Sequence, residues 1–117
     1  MVIINEDKWD DIKRDFLSEI DYELSEEPLV YFNHKNNTQE EIGTRQTYTF
    51  TKNNMDFMLI LDKENRLSKT TTEKNGRQVD HYSRSPDEYS WKLSIKYREM
   101  NGEWKDSSAM EGNFEQP

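Results

Sequence analysis

Two histidines, His34 and His81, are the only imidazoles in a chain of 117 residues that holds no cysteine. A zinc centre or a general base would need a third ligand or a nucleophile brought beside one of them. Neither stands in an HExxH, HxH or HxxxH spacing, and both read as strand histidines without a chemical role. Lack of cysteine removes disulfides, thiolate metal sites and a thiol nucleophile. The four glycines, Gly43, Gly76, Gly102 and Gly112, are scattered and form no phosphate-cradling pattern. Asp7, Asp10 and Asp11, or Glu40 with Glu41, could offer oxygens to Mg²⁺ or Ca²⁺. They lack the EF-hand order, and acids at a helix start serve the helix dipole. No carboxylate pair stands out for hydrolysis, and Ser85-Pro86 in RSPDEY reads as a turn rather than a phosphorylation site. The chemistry expected is therefore none: no enzyme, no metal, no cofactor.

Two other constellations carry the functional reading. The first is acidic. Of the net charge of −8, residues 1–30 supply ten Asp/Glu against three Lys/Arg, and residues 31–117 fourteen against thirteen. On a helical wheel Asp7, Asp10, Asp11, Asp15, Glu19 and Asp21 share one face, with Tyr22 among them. A tyrosine ringed by carboxylates suits a protein interface, and a basic protein surface is the expected partner. The same charge repels phosphates and anionic lipid, so neither nucleic acid nor a membrane is expected as a direct partner. The second constellation is aromatic. Tyr48, Phe50, Phe57, Trp91, Leu93 and Tyr97 fall on inward faces of alternating segments, where they make either a core or the lining of a ligand pocket. The function expected is a small acidic, non-enzymatic protein-interaction module of inhibitor, immunity or anti-defence type, docking through its N-terminal helix. The alternative is a small-molecule or lipid carrier with its pocket between helix and sheet.

The elements that must position these residues follow from period. Trp9, Ile12, Phe16, Leu17, Ile20 and Leu24 recur at helical spacing. Asn5 is the expected N-cap, and Pro28 is expected to stop the helix near Leu24 to Glu26. Beyond Pro28 the period becomes two. LVYFNH, TRQTYTFTK, MDFMLILD, RLSKTTTEK, RQVDHYSR and YSWKLSIKYRE read as strands. DKEN and SPDE are expected to separate them as turns, and Asn75-Gly76 and Asn101-Gly102 as hairpin turns. Short connections demand antiparallel neighbours. The fold expected is α+β: one N-terminal amphipathic helix packed on a curved antiparallel meander sheet of about six or seven strands. Residues 1–106 make the single domain, and 107–117 an irregular strand or frayed tail.

Only 32% of residues are apolar and 34% are charged, but three Trp, six Tyr and five Phe supply enough area for a thin core. The opening MVIINEDKWD is too short in apolar residues for a signal peptide or a membrane span. A cytoplasmic protein is expected, monomeric or weakly homodimeric, with strand addition along residues 66–84 as the route to a dimer.

Overall fold

The computed structural model describes residues 1–114. In chain order its elements are β1 (Val2–Ile4), α1 (Glu6–Ile12, prolonged by a π-helical stretch Lys13–Leu17), β2 (Glu23–Asn33), β3 (Thr38–Lys52), β4 (Met55–Lys74), β5 (Arg77–Glu99), β6 (Lys105–Asp106) and α2 (Ser108–Gly112). All strands join one antiparallel sheet in the order β1-β5-β4-β3-β2, and β6 lies on the same side of β5 as β1. The fold is thus α+β, a mostly antiparallel open sheet with a short helix near each end of the chain. Its extents are 64 × 33 × 23 Å.

Alternation sets which face is buried. Tyr48 pairs with Leu59 and Leu59 with Ile95, while Leu61 pairs with Leu93. These side chains share one face, and Trp9, Ile12 and Leu17 close over it to form the core. The Asn5 side chain accepts from the Lys8 amide at 2.8 Å, the expected N-cap. The opposite face is polar and ion-paired. Arg45 grips Asp62 through two bonds of 2.7 and 2.9 Å, Glu64 accepts from Arg84 and Lys92, and Asp56 accepts from Arg98.

Three expectations are corrected. First, the helix ends at Leu17 rather than near Leu24. Its last turn widens, the Ser18 hydroxyl donates to the Arg14 carbonyl, and Glu19 takes a left-handed φ of +64°. Residues 23–33 then pair with β3, and Pro28 sits inside that strand opposite Thr44. An edge strand tolerates a proline because the missing N–H can face solvent. Sheet pairing therefore overrides a helical period in which Ile20 and Leu24 were the last members. Second, neither DKEN nor SPDE turns the chain. β4 and β5 run straight through, with Asn65 opposite Tyr89 and Leu67 opposite Arg84, so Arg66 alone faces residues 85–88. Ser85 organises that bulge, accepting at its carbonyl from Asn65 and at its hydroxyl from the amides of Asp87 and Glu88. Third, the segment expected as an irregular or frayed tail forms α2, and Phe114 meets Phe16 edge-on at 5.6 Å. Residues 115–117 lie outside the described residues.

The feature that positions the candidate site is a fork. β3 pairs with β4 only from Gly43 to Lys52. Before Gly43, β3 is bonded to β2 alone, and beyond Asn65, β4 is bonded to β5 alone. Two ribbons therefore leave the core, one ending at the turn 34–37 and one at Asn75-Gly76. Gly43 stands at the crotch, where an added Cβ would lie 2.0 Å from the Lys63 carbonyl oxygen. Ile42 is the extra residue just before it, since Leu29 faces Gly43 and Val30 faces Glu41. The bulge bends the β2–β3 ribbon away from its neighbour.

Candidate functional site: the cleft between two ribbons

Between the ribbons lies a cleft of about 1060 Å³. Tyr31 and Ile42 contribute from one side, Leu67 and Tyr82 from the other, with His34, Lys35, Glu40, Glu41 and Arg84 around them. Tyr31, Leu67 and Tyr82 are 50%, 51% and 61% exposed. Neither ribbon has a core beneath it, so these side chains do little for stability where they stand. Contiguous exposed apolar groups of this size mark contact surfaces more often than plain surface. Residues 66–85 carry five Lys/Arg and two Asp/Glu, whereas the remaining chain carries eleven and twenty-two. Of those five bases Arg84 alone lines the cleft, and there it is paired with Glu64 at 3.0 Å.

The acidic surface expected on one helical face is divided by the early end of α1. Asp7, Asp10, Asp11 and Asp15 stay on the helical segment, and part of their charge is met locally. Lys13 lies 3.5 Å from Asp10, and Arg14 lies 3.0 Å from Asp11 and 3.7 Å from Asp15. Glu19, Asp21 and Tyr22 fall on the return to β2 instead. There they line a polar hollow with Thr49, Thr51, Asp56 and Arg98. Tyr22 also meets Tyr48 at a tilt of 54° with ring centroids 5.6 Å apart, and Tyr48 meets Trp9 at the same tilt and 5.3 Å. Burial first, then Tyr22 and Glu26, push the Tyr48 phenol above its ordinary pKa.

The aromatic set is brought together, mostly as packing. Tyr48, Phe50 and Leu93 are buried. Phe57 stacks on Phe50 at 5.4 Å. Trp91 lies under the Lys63 ammonium at 4.5 Å, and Tyr97 is half-buried opposite Phe57. A hollow of about 260 Å³ opens beside Phe16, Phe50, Met55 and Phe57, below the ~300 Å³ at which ligand pockets usually begin.

His34 and His81 sit on different ribbons. His34 meets the Phe32 ring edge-on at 4.8 Å, and His81 Nε2 is 3.2 Å from the Thr72 hydroxyl. Among the described residues no three His, Asp or Glu side chains converge to hold a metal ion. No helix of the described residues is long and apolar enough to cross a membrane.

Tyr31, Leu67 and Tyr82 were not singled out by the sequence. The available signal was a glycine inside an alternating strand, which marks a bulge or a close backbone approach. No protein-family model, curated protein or solved structure matches the chain.

Proposed function

We propose that this chain is a non-enzymatic protein-interaction module that receives its partner in the cleft between the two ribbons. The observation that carries the reading is the half-exposed trio Tyr31, Leu67 and Tyr82 on ribbons that have no core of their own. Aromatic and aliphatic anchors of this kind dominate protein interfaces when a partner desolvates them. The acidic body supports the same class of function. Its twenty-two acids against eleven bases outside residues 66–85 favour a partner with a basic surface and accelerate the encounter. Asp7, Asp10, Asp11 and Asp15 are its exposed helical contribution.

Cross-linking in cell extract followed by mass spectrometry tests the reading. A protein captured by the wild type should be lost by Leu67→Ser/Tyr82→Ser. With Asp11→Lys/Asp15→Lys it should still be captured, with a weaker dependence on salt. A partner retained at full strength by the Leu67→Ser/Tyr82→Ser protein removes the cleft as its site.

A further inference from the structure

The two outer edges of the sheet are treated very differently. Along β5 the edge is closed by β1 over residues 91–93 and by β6 over 96–97. Between them the Ile95 amide is bonded by Glu111 and its carbonyl by the Ser107 amide. Along β2 no strand of the described residues pairs with the outer edge. Its first half carries Glu23, Glu26, Glu27 and Pro28, residue types that discourage strand addition. Its second half, Leu29–Asn33, has no charge at all, and Val30, Tyr31 and Phe32 are 50%, 50% and 39% exposed. The extra residue of the adjoining bulge is on β3, so β2 itself remains regular.

From this edge we infer that the chain forms a two-fold homodimer by antiparallel pairing of β2 with β2 of a second copy, centred on Tyr31. The centre follows from the backbone. Pro28 has no N–H to give, and in an edge strand it turns that position to solvent. By alternation Val30 and Phe32 point their amides and carbonyls outward as well. With Tyr31 on the dyad, Val30 of each copy faces Phe32 of the other, and both pairs exchange hydrogen bonds. Centring on Leu29 would set Val30 against the donorless Pro28, and centring on Asn33 would run into the turn at 34–37. The Tyr31 centre ends the pairing at Asn33 and brings Lys35, in the turn just beyond, toward the Glu27 end of the second copy's strand. Lys35 has no ion pair among the described residues, so the uncharged stretch is flanked by complementary charges. Such an interface is isologous and closes on itself rather than growing. Tyr31 and Lys35 also line the cleft, but Leu67 and Tyr82 lie on the other ribbon, so Leu67→Ser/Tyr82→Ser should leave the dimer intact.

The absence of native cysteine makes the test direct. On mild oxidation Tyr31→Cys should cross-link to itself, because a non-hydrogen-bonded pair places its Cα atoms within disulfide range, about 4.5 Å apart. Leu24→Cys, also exposed on β2, should not. By sedimentation the wild type should reach twice its 14.1 kDa mass at micromolar concentration. Val30→Lys/Phe32→Lys should raise the dissociation constant at least tenfold. Lys35→Glu should weaken the dimer several-fold, and Glu27→Lys/Lys35→Glu should restore it. A wild type monomeric at hundreds of micromolar overturns the inference and leaves the edge to a strand of another protein. A dimer that survives Val30→Lys/Phe32→Lys, or one cross-linked equally through Leu24→Cys, overturns it too.

Discussion

The Ile95 amide donates to the Glu111 carboxylate at 3.3 Å, at the one step of β5 that falls between β1 and β6. A side chain from α2 thus does the work of a missing strand. Glu111 is 3% exposed, and its other oxygen accepts from the Met1 ammonium. Removing the carboxylate would leave a buried amide without an acceptor, which costs about 1–3 kcal/mol. Glu111→Ala is expected to lose that much in urea unfolding followed by tryptophan fluorescence. Glu111→Gln keeps an acceptor oxygen and should lose less.

Gly43 and Gly112 should respond in opposite ways to alanine. At Gly43 the new Cβ would collide with the Lys63 carbonyl and the Glu64 Cα, both backbone atoms that can yield only by moving the strand. A cost of about 2–3 kcal/mol is expected, typical of overpacking. At Gly112 no atom lies within 4 Å, and Gly112→Ala should be neutral or gain up to about 1 kcal/mol by restricting the unfolded chain. Equal effects at the two positions would contradict the close approach at the crotch.

Asn53 and Asn54 both hold positive φ, 53° and 64°, in the turn that joins β3 to β4. The corresponding turn at Asn75-Gly76 uses glycine at the second position. Asn54→Gly should therefore stabilise the protein, by up to about 1 kcal/mol, because asparagine only partly escapes the left-handed penalty. The midpoint of urea unfolding should rise without a change in slope.

Acid should weaken the polar face of the sheet. Burial by itself would raise the Glu64 pKa, but the bonds from Lys92 and Arg84 outweigh it and hold the carboxyl below its ordinary 4.5. Asp56 is lowered too, first by the Thr51 hydroxyl and then by Arg98. A carboxyl with a depressed folded pKa binds its proton more weakly folded than unfolded. Its stabilisation is complete above the unfolded value and is lost as pH falls through the folded one. Unfolding midpoints measured between pH 7 and pH 3 should drop less in Glu64→Gln than in the wild type.

Much of the sheet was legible because strands advertise themselves locally. The alternation Tyr89, Trp91, Leu93, Ile95, Tyr97 and the Asn75-Gly76 turn specify extended chain and reversal without reference to anything distant. The end of α1 was not legible in the same way. Ile20 and Leu24 satisfy a helical period, and only pairing with β3 decides that residues 23–33 extend instead. The bulge at 85–88 escaped for a related reason, since Ser-Pro-Asp-Glu makes a turn in isolation and an insertion when both flanking segments already have a partner. The cleft was hidden most deeply. It depends on where β3 and β4 part, and the single local mark of that point is Gly43.

The passage of β4 and β5 from core to free ribbon implies two regimes of hydrogen exchange within the same pair of strands. Amides of residues 57–61 and 93–97 lie over Leu59, Leu61, Leu93 and Ile95, all 0–1% exposed, and should exchange only when the whole domain opens. Within residues 67–74 and 77–84 only alternate amides are bonded across the ribbon, and no buried core lies beneath them. They should exchange by opening from the turn, many orders of magnitude sooner, with the boundary near Asn65 and Ser85.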